Sequence, residues 1–269
     1  MVQKLSGLRS LFVCKYFIAL VFSALLAAPA PALAEELVKF DAAGHSAAVQ
    51  GYIAKPSGAG PFPAVVLLHS CLGLPKNRQA IANTIVSWGY VALFVDDFAT
   101  RGLRETCAVD FKPALSDAFG ALAYLSTRRD VDPSRIAAVG YSQGADTALT
   151  IAASGGASSF ATPNGLRFKS VVAFYPPCAN QNGARLRAPT LILIGEKDSV
   201  TPAADCEALM QRQAGGATLL VYPGADHLFD DPSVKDGARV DGMLLKYNPE
   251  AARRSRSDLQ AFLAATLGR

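Results

Sequence analysis

Short apolar runs alternate along this chain with stretches whose apolar residues recur at helical spacing. The runs are Val65 to Leu68, Val91 to Val95, Ile136 to Val139, Val171 to Phe174, Leu191 to Ile194 and Thr218 to Tyr222. They are too short for helices and mostly unbroken by polar residues, as strands buried on both faces of a sheet must be. Between them the spacing predicts helices over Asn77 to Trp88, Pro113 to Thr127, Gln143 to Ala153, Ala203 to Gln213 and Pro249 to Leu267. Strand and helix in alternation imply an α/β protein with a mostly parallel, doubly wound sheet covered by helices on both faces. Glu36 to Phe40 and Ala47 to Ala54 precede the first crossover and predict an antiparallel hairpin at one edge. No internal repeat or low-complexity linker divides residues 35–269, so they are expected to form one domain with a sizeable core.

The N-terminus departs from this pattern. Lys4, Arg9 and Lys15 precede an apolar stretch from Phe17 to Ala28, and Ala32-Leu33-Ala34 closes it with the small-x-small signature of a signal-peptidase site. Residues 1–34 therefore read as a secretory signal peptide, which predicts a periplasmic or secreted protein. The competing reading is an uncleaved membrane anchor. Pro29 and Pro31 interrupt the segment and its apolar run is short for a span, which disfavours an anchor. Cys14 comes before that run and not at its end, unlike a lipoprotein cysteine. Without the segment the basic residues fall from 26 to 23 against 22 acidic ones. Near neutrality gives no electrostatic footprint for nucleic acid, and Arg253-Arg254-Ser255-Arg256 reads as the solvated face of the last helix.

The chemistry concentrates at Gly140-Tyr141-Ser142-Gln143-Gly144. This G-x-S-x-G core sits where the strand ending at Val139 hands over to the helix from Gln143, the setting of a nucleophile elbow. There a strained turn lifts a serine hydroxyl to the top of the sheet. In the α/β-hydrolase fold the base follows the nucleophile along the chain, with an acid between them. Of the three histidines, His45 and His69 precede Ser142 and only His227 follows it. His227 lies in the turn-rich segment after the strand Thr218 to Tyr222. The acid belongs in the loop after Leu191 to Ile194, where Asp198 is favoured. Glu196 sits closer to the strand end, and Asp205 falls inside the helix begun by Thr201-Pro202. Singly, a serine between glycines is often a plain turn and a lone histidine a plain structural residue. Their shared order and strand-end placement make the combined case.

Beyond the signal segment the cysteines are Cys71, Cys107, Cys178 and Cys206. An even number in an oxidising compartment favours disulfides. Cys178 and Cys206 fall in neighbouring connections at one sheet edge and are the expected pair, and whether Cys71 and Cys107 pair or stay free is left open. Neither a CxxC motif nor a Cys/His ligand spacing appears, so no metal and no organic cofactor is expected.

Most of the chain after residue 34 resembles the dienelactone hydrolase family of α/β-hydrolases. The matching pieces are His69-Ser70-Cys71-Leu72-Gly73, Asp97-Phe98-Ala99-Thr100-Arg101, the elbow, Gly195-Glu196-Lys197-Asp198 with Thr201-Pro202, and Tyr222-Pro223-Gly224-Ala225-Asp226-His227. The resemblance implies Ser142, Asp198 and His227 as a triad and the backbone N–H groups of Cys71 and Gln143 as an oxyanion hole. It further implies that Arg101 holds a substrate carboxylate, although pairing with an acid to brace its own loop is the alternative. Dienelactone hydrolases proper carry a cysteine nucleophile and a glutamate in the loop occupied here by Ser70-Cys71. With serine in place, the expected chemistry is that of a serine esterase acting on a small ester or lactone. A serine peptidase or acyltransferase, and a non-catalytic binding protein on the same scaffold, are the rival readings. Acyl chain and oligomeric state are left open.

Overall fold

The computed structural model describes residues 35–44, 47–109, 111–156, 165–181, 183–240 and 242–268. The expected signal segment 1–34 and His45 lie outside the described residues. The chain opens with the hairpin β1 (Glu36–Asp41) and β2 (Ala48–Ala54), followed by β3 (Phe62–Leu68), α1 (Arg78–Ser87), β4 (Val91–Asp96), α2 (Pro113–Ser126) and β5 (Val131–Tyr141). It continues through α3 (Gln143–Ala153), β6 (Ser170–Phe174), β7 (Thr190–Gly195), α4 (Ala203–Met210) and β8 (Ala217–Tyr222). A small hairpin, β9 (Ala238–Val240) with β10 (Met243–Leu245), precedes α5 (Pro249–Leu267).

Among the described residues the main sheet has eight strands in the order β1-β2-β4-β3-β5-β6-β7-β8. From β4 to β8 every neighbouring pair is parallel, while β2 runs antiparallel to both β1 and β4. The α/β expectation and the antiparallel edge hairpin both hold. Burial follows position in the sheet: β4, β6 and β7 are buried along their whole length, whereas β1 turns Val38 and Phe40 inward and Lys39 and Asp41 to water. Strand β3 sits between β4 and β5, so the chain leaves it toward opposite edges. In such sheets ligands bind at the carboxyl ends of the strands beside this switch point.

Three local features differ from the pattern reading. Strand β5 starts at Val131, ahead of its apolar run, through a polar stretch in which the Asp132 carboxylate accepts from the Ser134 N–H and the Arg135 guanidinium. Helix α4 stops at Met210 because the Gln213 side chain folds back, accepting from the Leu186 N–H and donating to the carbonyls of Leu209 and Ala184. The β9–β10 hairpin, with only three residues in each strand, leaves no periodic signal.

The cysteine pairing left open by the sequence is answered by the fold. Cys178 is bonded to Cys206, as expected, and Cys71 and Cys107 form a second disulfide. The lack of regular structure around Cys107 hid that pair: it lies in an irregular loop after β4, which folds back across the end of β3. Among the described residues no helix is long and apolar enough to cross a membrane.

Candidate active site

The turn between β5 and α3 puts Ser142 at φ 52° and ψ −111°, a region an L-residue occupies only under constraint. The constraint is packing. A Cβ on Gly140 would collide with the backbone of Gly144, and one on Gly144 with the carbonyls of Leu68 and His69. Only glycines let α3 start this close to β3. The Ser142 N–H donates to the Phe174 carbonyl at 2.9 Å, which pins the elbow to the end of β6.

Ser142 Oγ lies 3.0 Å from His227 Nε2, and His227 Nδ1 lies 2.7 Å from Asp198 Oδ2. Both His227 and Asp198 are buried. Asp198 is held by its own loop: its Oδ1 accepts the N–H groups of Val200 and Thr201 at 2.9 and 2.8 Å, and its Oδ2 accepts the Thr201 hydroxyl at 3.0 Å. Every acceptor position facing protein is thereby occupied, so the carboxylate has one orientation available. The loops after β7 and β8 are joined by the Lys197 N–H to the Ala225 carbonyl at 2.8 Å, and β10 anchors the second loop through the Lys246 N–H to the His227 carbonyl at 2.9 Å. Ser142, His227 and Asp198, chosen on order and strand ends, are brought together in one chain of hydrogen bonds.

Two further residues complete the surroundings. The sequence reading assigned Thr201 no role at the site, yet its hydroxyl reaches Asp198 and the Tyr175 carbonyl and lies 3.3 Å from His227 Nδ1. Tyr175 packs edge-on against the His227 ring at 4.7 Å between centroids. Among the described residues the non-glycine positions with positive φ are Ser142, Tyr175 and Leu228. All three border His227, and each such conformation costs about 1–3 kcal/mol. Nothing in the sequence pattern marks Tyr175. The Thr201-Pro202 pair was the available signal for Thr201.

Cys71 occupies the first corner of the turn closed by the Gly73 N–H to the Ser70 carbonyl, and Gln143 is the first residue of α3. Neither backbone N–H has a protein acceptor among the described residues, as expected at a turn corner and a helix start. A narrow cleft of about 20 Å³ at Ser142 and His227 is bordered by Cys71, Leu72 and Leu228. A larger cavity of about 170 Å³ shares the walls Ser70, Leu72 and Leu228 and extends past Leu74, Ile81 and Asp230.

Arg101 does not reach this cavity. Its guanidinium makes a two-pronged pair with Asp117 at 2.7 and 3.0 Å and donates to the Asp97 carbonyl at 2.6 Å. Asp117 is completely buried. The geometry therefore favours the bracing alternative over carboxylate binding for Arg101. Burial raises the Asp117 carboxyl, and the Arg101 guanidinium works against that rise. Arg101→Ala is expected to destabilise the fold by about 3 kcal/mol, because it strands a buried acid. Turnover of neutral and carboxylate-bearing esters should fall by the same factor. A loss confined to carboxylate-bearing esters would restore the binding role.

His69, the other described histidine, forms a buried ion pair with Asp97 and donates from Nδ1 to the Ser70 carbonyl at 2.7 Å. Burial opposes the imidazolium, but Asp97, helped by the Ser70 carbonyl and Asp96, raises His69 above its ordinary value. The pair braces the start of the loop that carries Cys71. Asp230, in the cavity wall, behaves differently. Burial pushes its carboxyl up to about 6, while the Tyr175 hydroxyl that it accepts at 2.8 Å partly offsets the rise. A raised acid stabilises the fold fully below its unfolded pKa and loses that contribution as pH climbs through the folded value. Asp230→Asn keeps an acceptor for Tyr175, so its stability gain over the wild type should grow from near zero at pH 4 to about 2–3 kcal/mol at pH 7. Urea unfolding at both pH values tests this, and a gain independent of pH would overturn it.

The model of the dienelactone hydrolase family matches residues 49–267. The chain belongs to this family. A relative from Azospirillum brasilense named "Putative carboxymethylenebutenolidase" is 24% identical over 242 residues, 84% of this chain and 97% of that protein. Cutinase 1 of Thermobifida cellulosilytica is 25% identical over 154 residues, 57% of this chain and 55% of that protein. The crystal structure of a dienelactone hydrolase-like promiscuous phosphotriesterase from metagenomic libraries superposes with a TM-score of 0.70 at 22% identity, covering 87% of this chain and all of that one. At that identity the structural likeness is one of fold, and the family is one of hydrolases.

Proposed function

We propose that this dienelactone hydrolase family member is a serine hydrolase that cleaves a carboxylic ester or lactone through an acyl-enzyme on Ser142. The observation that carries the reading is the continuous chain from Asp198 through His227 to Ser142 Oγ, with links of 2.7 and 3.0 Å. His227 takes the Ser142 proton as the hydroxyl attacks the carbonyl carbon, and Asp198 holds the imidazole in the required tautomer and stabilises its charged form. The N–H groups of Cys71 and Gln143 receive the developing oxyanion, each worth about 3 kcal/mol in comparable sites. His227 then returns the proton to the leaving oxygen, the acyl-enzyme forms, and water attacks it by the same route. The cavity walls Leu72, Leu74, Ile81 and Leu228 suit the apolar part of a small substrate.

Turnover of a panel of p-nitrophenyl esters and small lactones, together with labelling of Ser142 by a fluorophosphonate, tests this reading. Absence of both turnover and labelling in folded protein would favour the binding-protein alternative.

We further propose that residues 1–34 are removed and that the enzyme works in the periplasm or outside the cell. Two disulfides support an oxidising compartment. Secreted material should begin at Glu35 by mass spectrometry, and material beginning at Met1 would reject the cleavage.

A further inference from the structure

The loop before α2 is tied to both proposed oxyanion donors, and to each by more than one bond. On the Cys71 side, the Cys71–Cys107 disulfide is joined by the Thr106 N–H donating to the Cys71 carbonyl at 2.9 Å. On the Gln143 side, the Thr106 hydroxyl donates to Gln143 Oε1 at 2.8 Å, and Gln143 Nε2 turns toward the carbonyls of Thr106 and Val109 at 3.5 and 3.4 Å. Thr106 is buried between them. The Gln143 side chain is thus engaged by this loop at both its oxygen and its nitrogen.

We propose that Thr106 and Cys107 are positioning residues that set the spacing of the Cys71 and Gln143 N–H groups. The inference rests on the serine hydrolase reading above. Its physical basis is that the two donors come from different elements: Cys71 from the loop after β3, Gln143 from the start of α3. Neither element alone fixes the distance between the two N–H groups. A single threonine, bonded through its backbone to one carrier and through its side chain to the other, does so, and the adjacent disulfide keeps that threonine in place. Loss of one oxyanion donor costs about 10²–10³-fold in kcat. A misplaced donor costs part of that, and a shift near 1 Å can cost about 10²-fold.

The decisive experiment compares Thr106→Val, which deletes the hydroxyl at constant shape, with Thr106→Ser, which retains it, on a p-nitrophenyl ester. Thr106→Val should lower kcat by about tenfold to hundredfold with KM nearly unchanged, and Thr106→Ser should recover most of the loss. Affinity for phenylboronic acid supplies a readout that a general loss of stability would not move. In its adduct the Ser142 oxygen bonds to boron, the serine proton passes to His227, and a tetrahedral boronate oxygen occupies the oxyanion position. Boronate affinity should fall with kcat in Thr106→Val while inhibition by the carboxylate product stays constant. Cys107→Ser should act in the same direction, and if it fails to fold, the threonine pair decides alone. Wild-type kcat in Thr106→Val, or a lost kcat with unchanged boronate affinity, would overturn the proposal. A wild-type protein without Ser142-dependent turnover would instead remove the hydrolase reading, and this inference with it.

Discussion

Ser142→Ala is expected to reduce ester turnover by about 10⁴-fold or more while leaving the fold in place. The magnitude follows from the role: without the hydroxyl no acyl-enzyme forms, and only donors and binding remain to assist direct attack by water. The intact fold follows from the contacts. The Ser142 hydroxyl bonds to His227, whereas the turn is held by the Ser142 N–H to the Phe174 carbonyl and by the close approach of Gly140 and Gly144. Alanine keeps the Cβ, so the strain at φ 52° is neither added to nor relieved. The melting temperature should therefore stay within a few degrees of the wild type. Turnover within a hundredfold of wild type in pure, folded Ser142→Ala would show that the nucleophile has been misassigned.

The parts of this protein that could be read from its sequence are those governed by local periodicity and chain order. Continuous apolar runs located the central strands because a strand buried on both faces has no polar position to spare. The ends of α3 and α5 could be read because glycines stop the first and Asn248 with Pro249 starts the second: the Asn248 side chain accepts the Ala251 N–H at 3.1 Å. The elbow motif, chain order and strand-end placement together selected Ser142, Asp198 and His227. What stayed hidden depends on contacts between distant segments. Cys107 has no element around it to say where it goes, and only the folded loop brings it to Cys71. Arg101 could be assigned to a substrate or to a brace, and the choice turned on Asp117, a buried acid in α2 sixteen residues away. Tyr175 carries its information in a backbone angle, φ 41°, that no residue-type preference announces. The site's scaffold is therefore visible in one dimension, while its buttresses are not.

Asp198→Asn is expected to lower kcat by about 10⁴-fold with little change in stability or KM, through the hydrogen-bond polarity of its loop. The N–H groups of Val200 and Thr201 both donate to Oδ1, so the asparagine carbonyl oxygen must take that position to satisfy them. Its NH₂ group then replaces Oδ2 and faces His227 Nδ1. Two donors cannot face each other, so His227 adopts the tautomer with its proton on Nε2 and accepts the amide at Nδ1. The Nε2 proton now points at Ser142 Oγ, 3.0 Å away, where the reaction needs a lone pair. The base is in place but in the wrong tautomer. The Thr201 hydroxyl can still donate to the Tyr175 carbonyl at 3.1 Å, which is why the loop should survive the exchange. Measured on a p-nitrophenyl ester, with circular dichroism to confirm folding, a kcat within tenfold of wild type would show that Asp198 does not orient the base. The acid would then have to be sought elsewhere around His227, with Asp230 as the first position to test.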